Sequence, residues 1–193
     1  MISIVNSTLE EVAEVCRLDK LVFSEKWDIP LSDGETAWQN NQEIYRFIKD
    51  DDKIMGYHFV APFQQYVYEQ LLSGEMDEKN ALPFILNYDE CNEVYLYVYS
   101  IVVDMSVENY KTYSKPLIQD LVDVIQRLNE RNIEVKDFGF IAITHAGIRL
   151  AELMGLTFIE EFESDEKPNP QVYRSEPRHF KKESIFLKGQ VAK

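Results

Sequence analysis

The sequence is poor in cysteine: Cys16 and Cys91 are its only two, far apart and in no metal-ligand or disulfide spacing. That argues against a cysteine-stapled scaffold or a zinc ribbon and fits a reducing compartment, so a cytoplasmic location is expected. Long apolar runs are missing, since no stretch reaches the ~18 residues that a membrane span needs. Residues 1–6 lack the basic and apolar regions of a secretion signal, so the expectation is a soluble, unprocessed chain. Positive charge is scarce, with 20 Lys and Arg against 34 Asp and Glu for a formal net charge of −14. A surface of that sign repels phosphates, which speaks against nucleic acid and membrane as partners. It favours a small-molecule amine or a basic peptide, although an acidic surface also serves solubility alone.

Histidine is sparse as well. His58, His145 and His179 fall in a hairpin strand, at a helix start and in a charged tail, so no metal site is expected. Asp50, Asp51 and Asp52 lack the glycine and distal glutamate of a calcium loop and read as a solvated turn. No nucleophile-elbow pattern supports a Ser-His-Asp triad.

What is present is alternating strand and helix signal in a chain of 193 residues, long enough for one domain to bury roughly 70% of its unfolded surface. Residues 2–5 read as a strand. Ser7 and Glu10 form a capping box ahead of a helix with the stripe Leu9, Val12, Ala13 and Cys16. A loop and short helix (35–41) precede a hairpin of residues 43–49 and 54–62, and residues 64–92 look like an insertion that begins with a helix. The clearest strand is 93–104, with Tyr95, Tyr97 and Tyr99 on one face and Leu96 and Val98 on the other, as a buried central strand requires. A helix is predicted over 115–130 with Pro116 in its first turn, a strand over 135–143, a helix over 144–154 capped by Gly155, and a strand over 156–163. Residues 163–180 read as an exposed charged connector, and Ser-Ile-Phe-Leu at 184–187 as a returning strand.

The order of these elements, with the segments IVVDMSVENYKTYSKPLI (101–118) and THAGIRLAELMGLTF (144–158), resembles the GCN5-related N-acetyltransferase (GNAT) superfamily over nearly the whole chain. The resemblance implies an α/β (α+β) fold: a mixed central sheet of six to seven strands flanked by helices, with splayed parallel strands 4 and 5, in one domain spanning 1–193. It implies acetyl-CoA as co-substrate, its pantetheine arm adding to the backbone at Ile101, Val102 and Val103 like an extra strand. Pyrophosphate would sit at residues 108–114, where the family usually places glycines that let amides wrap an anion. This chain has none there. Lys111 would supply charge and Thr112, Tyr113 and Ser114 hydroxyls, the other reading being a plain polar connector. Thr144 stands where the family commonly has asparagine, and Ala151 where it often has a tyrosine that protonates the thiolate.

Acyl transfer to an amine needs a proton acceptor, and Glu93 at the start of the central strand is the candidate, with Tyr99 or Tyr97 lining the acceptor pocket. The alternatives are a solvated strand end for Glu93 and packing against a helix for the tyrosines. Two functions follow: acyl-CoA-dependent N-acyl transfer, or a catalytically inactive domain that binds a ligand or another protein. A homodimer is open in either case.

Overall fold

The computed structural model describes residues 1–24, 27 and 29–175; the 184–187 strand expectation and His179 lie outside them. Seven strands form one mixed sheet: β1 (Ile2–Asn6), β2 (Tyr45–Asp50), β3 (Lys53–Phe63), β4 (Glu93–Val103), β5 (Glu134–Ala142), β6 (Thr157–Glu161) and β7 (Gln171–Arg174). Their spatial order is β1-β2-β3-β4-β5-β7-β6. All neighbours run antiparallel except β4 and β5, whose parallel pairing needs a crossover helix. Among the described residues six helices accompany the sheet: α1 (Val12–Asp19), α2 (Leu31–Asn40), α3 (Gln65–Leu72), α4 (Glu78–Ala81), α5 (Lys111–Glu130) and α6 (His145–Met154).

β4 divides the core. Tyr97 joins the cluster under α1, α2 and α3, while Leu96 and Val98 join the cluster under α5 and α6. This is the expected consequence of a strand that is apolar on both faces. No helix among the described residues is long and apolar enough to cross a membrane.

Three local expectations change. The capping box lies one residue later, where the Glu11 carboxylate accepts from the Thr8 amide at 3.0 Å, and the buried stripe of α1 is Val12, Val15 and Leu18. The crossover helix begins at Lys111, a turn before the expected start, so Pro116 is interior to it. Proline normally resists that position. Here the extra turn is held by Tyr113, which packs with Ile48, Met55 and Leu117 and donates to Asp50 at 2.9 Å. The connector beyond residue 163 returns at Gln171–Arg174 as β7, inserted between β5 and β6 with Val172 and Tyr173 buried. The insertion of residues 64–92 holds α3, α4 and two short 3-10 turns, joined by short loops. At Gly155, by contrast, the expected cap is found in the left-handed conformation, φ 71°.

Candidate active site

The site begins where two strands part. β4 and β5 pair from Glu93 opposite Glu134 to Tyr97 opposite Gly139, and beyond that β5 pairs only with β7. Residues 98–103 and 140–143 then line a cavity of about 300 Å³ between them. Its other walls come from the start of α5 (Tyr110, Ser114) and the start of α6 (Gly147, Leu150). The β3–β4 register skips Tyr99, which lies between the pairs Phe59–Ser100 and Val60–Val98. Such a bulge disrupts the ladder locally and re-aims a side chain.

Ile101, Val102, Val103, Ser114, Thr144 and Tyr99 all line this cleft. Thr144 caps α6, its Oγ1 accepting from the Gly147 amide at 3.0 Å. Ser114 Oγ donates to the Tyr110 carbonyl at 3.3 Å. Lys111 and Thr112 are exposed on the first turn of α5. The Tyr113 side chain turns away: it is 7% exposed, packed on β2 and β3, and its hydroxyl is engaged by Asp50. Glu93 also lies apart, five residues before the cleft opens, or roughly 17 Å along an extended strand at ~3.3 Å per residue. It is exposed, pairs with Lys136 at 3.5 Å and borders a different cavity, with Glu69, Cys91 and Tyr95. Ala151 is fully buried in the core beneath α6, so the cleft-facing surface of that helix is Ala146, Gly147 and Leu150.

The carboxylate that the structure brings to the cleft is Glu78, on α4 of the insertion. Its Oε1 accepts from Tyr97 Oη at 2.6 Å, and its backbone carbonyl accepts from Tyr99 Oη at 3.1 Å. Burial pushes the Glu78 carboxyl up to about 7, against the opposing pull of the Tyr97 hydrogen bond. Asp19 at the end of α1 also lines the cleft, 8% exposed, and accepts a hydrogen bond from Tyr57, which in turn accepts from Ser100 at 2.8 Å. A second cavity, about 320 Å³, adjoins the first, and Trp27, Ile29, Glu78 and Ile141 line both. The α1–α2 segment is tied to the β6–β7 segment: Glu166 accepts from Ser24 and from Trp27 Nε1, each at 2.9 Å.

Glu78 is absent from the sequence reading because nothing local marks it. Its helix is only Glu78–Ala81, too short for periodicity, and its one sequence signal is the capping aspartate Asp77, which accepts from the Lys79 amide at 2.9 Å. Among the described residues no group of His, Cys, Asp and Glu is placed to hold a metal ion.

No protein-family model matches the sequence. No curated protein sequence matches it significantly. Solved structures do match in shape. The loading GNATL domain of CurA from Lyngbya majuscula superposes with a TM-score of 0.68 at 11% identity, over 93% of this chain and 99% of that one. NAA60 of Arabidopsis thaliana, solved with acetyl-CoA, gives 0.60 at 11% identity over 91% and 99% of the two chains. The acetyltransferase yncA of Salmonella typhimurium, with its cofactor acetyl-CoA, gives 0.59 at 12% identity over 92% and 94%.

Proposed function

We propose that this chain, whose fold is that of the GNAT acetyltransferases, transfers an acyl group from acyl-coenzyme A, acetyl by default, to the nitrogen of an amine. The observation that carries this reading is the parting of β4 from β5 after Tyr97 and Gly139, which opens a cleft at the N-terminal ends of both α5 and α6. The pantetheine arm adds to the free edge of β4 at Ile101, Val102 and Val103 through backbone groups, an interaction indifferent to side-chain identity. Amides near the Tyr99 bulge face the thioester carbonyl and stabilise the oxyanion that forms there.

Starting α5 at Lys111 alters the phosphate argument. The missing N–H of Pro116 is not one of the first-turn donors, and two of those donors, the Thr112 and Tyr113 amides, are already given to the Asn109 and Tyr110 carbonyls at 2.9 and 3.0 Å, so what α5 offers pyrophosphate is chiefly the positive end of a 20-residue helix. Lys111 and the Thr112 hydroxyl flank that end, whereas Tyr113 has its hydroxyl engaged with Asp50 and its amide with Tyr110. Glycines are therefore not required for an anion to reach this helix end.

One observation favours the second reading, a ligand-binding domain without turnover: α6 offers the cleft only apolar side chains beyond Thr144, so no helix-borne acid meets the departing sulfur. A thiol ionises near ~8.5, however, and a thiolate leaves acceptably without one. Thiol release from acetyl-CoA in the presence of a panel of primary amines separates the two. Release above the spontaneous rate establishes transfer; coenzyme A binding without release on any amine establishes the binding domain.

A further inference from the structure

Two cavities that meet at a single ionisable side chain have a direction. The first cavity is the parted-strand cleft assigned above to the acyl donor. The second leads away from it between α3, α4 and the segment after β6, its wall part apolar (Leu71, Met76, Phe162 and Trp27) and part charged (Asp77, Lys79 and Glu163). Glu78 is the one carboxylate lining both. Tyr97 holds its Oε1, and Tyr99 fixes its backbone, so the carboxylate is positioned from the strand that carries the cleft.

Resting on the acyl-transfer reading, we propose that Glu78 is the catalytic proton acceptor and that the acceptor enters through the second cavity as a small primary ammonium carried on an apolar body. The carboxylate attracts the cation to the junction, and the aliphatic and aromatic part of the wall takes the remainder. A cavity of about 320 Å³ suits a small molecule rather than a folded protein surface, and Trp27 in its wall is held by a hydrogen bond to Glu166 at 2.9 Å.

The chemistry balances. The ammonium passes one proton to Glu78, and the freed amine attacks the thioester carbonyl carbon. The C–N bond forms, the C–S bond breaks, and the second nitrogen proton goes to the thiolate sulfur, giving amide and free thiol. Glu78 then returns its proton to solvent. The charged or titratable groups around Glu78 are Tyr97 and Tyr99 on β4, Asp19 on α1, Asp77 beside it, and Lys79 and Glu163, which line the second cavity with it. The two aspartates disfavour its ionised form and so favour accepting a proton at neutral pH.

The test uses the full chain, with 2-phenylethylamine as probe and 2-phenylethanol as its uncharged control. Calorimetry is expected to show the amine binding, the alcohol binding at least ~10-fold more weakly, and Glu78→Gln losing that preference. Coenzyme A binding should be the same in wild type and variant. With acetyl-CoA, Glu78→Gln should lower kcat by ~10²-fold or more and abolish the pH inflection near 7, which loss of packing alone would not do. Met76→Trp, which fills the second cavity only, should raise the amine KM and leave the inflection in place. Amine binding that ignores Glu78→Gln, or a wild type that binds no amine, overturns the proposal. Amine binding that depends on Glu78 without thiol release leaves the acceptor site standing and sinks acyl transfer instead.

Discussion

Tyr97 donates to Glu78 across 2.6 Å from the last residue of β4 that still pairs with β5. The residue at which the strands part is thus the residue that holds the carboxylate of the inserted helix. Removing the hydroxyl should act on both. In Tyr97→Phe, Glu78 loses a contact that lowers its pKa, so its titration moves above the present value of about 7. The expected outcome is an upward shift of the activity midpoint with pH and a stability loss of about 1 kcal/mol, the net worth of one hydrogen bond. A midpoint that stays put or moves down contradicts the assignment.

The same group links stability to pH. Burial raises the folded-state pKa of Glu78 above the ordinary 4.5, so between 4.5 and about 7 the folded chain binds more protons than the unfolded one. Its contribution is most favourable below 4.5, declines as pH rises to 7 and is flat beyond. Urea midpoints of wild type and Glu78→Gln measured at pH 5 and pH 8 should diverge, with the variant gaining relative to wild type at the higher pH. Equal differences at both pH values would show that Glu78 is ordinary in the folded chain.

Away from the cleft, Asp120 of α5 is the centre of a buried charge network. It accepts from His58 at 2.7 Å, from Arg46 at 2.9 and 3.1 Å and from Arg127 at 3.0 Å. Burial opposes its ionisation, but the hydrogen bonds from His58 and Arg46 outweigh that and hold the carboxyl far below the usual range. Burial likewise lowers the pKa of His58 despite the attraction of Asp120. Both groups contribute stability above their unfolded values that is lost as pH falls. Asp120→Asn should cost roughly 3 kcal/mol at neutral pH, as removal of one partner from a buried ion pair does, and flatten the stability profile below 3.8, where the wild type loses the Asp120 contribution. Chemical denaturation from about pH 2 to 7 reads both effects.

Much of this architecture is legible in the sequence, and the illegible part has physical causes. The alternation of Tyr95, Tyr97 and Tyr99 with Leu96 and Val98 identifies the central strand because a sheet buried on both faces leaves no other way to place them. Thr144 and Gly155 bracket α6 by cap chemistry that is local. By contrast, β7 is four residues long and forms because β5 and β6 offer edges to either side. The first turn of α5 forms against the local preference of Pro116 because Tyr113 finds Asp50, 63 residues away in sequence. Glu93 attracts attention by standing at the head of the central strand, yet the cleft opens further along that strand. Glu78 reaches it from an insertion whose helix has no pattern of its own.

Gly56 of β3 faces the same strand where it lines the cleft. A Cβ there would meet the Val102 carbonyl oxygen at 2.4 Å and the Val103 Cα at 3.0 Å, both backbone. Gly56→Ala must therefore displace β4 rather than rotate a side chain aside. A cost of about 1–3 kcal/mol is expected, together with a weaker thermal shift on addition of coenzyme A, because Val102 and Val103 form the edge proposed above for pantetheine. Thermal melts with and without the ligand report both; loss of stability with undiminished binding would separate that edge from the cofactor.

The division of coenzyme A affinity between β4 and α5 is open to a direct comparison. A ligand that binds only the folded state at ~100 times its dissociation constant stabilises that state by ~2.7 kcal/mol, so millimolar ligand reveals even modest affinity in a melt. Pantetheine, which lacks the nucleotide and its phosphates, should give a small shift through Ile101, Val102 and Val103 alone. Coenzyme A should add the contribution of the positive end of α5 together with Lys111 and, one turn further along the helix and also exposed, Lys115. Because those lysines are exposed, raising salt should shrink the difference between the two ligands while leaving the pantetheine shift nearly constant. Lys111→Ala with Lys115→Ala should reproduce the effect of salt in part, since the helix dipole persists. Equal shifts from the two ligands would mean that α5 holds no phosphate and that the anion-binding role given to its first turn is wrong.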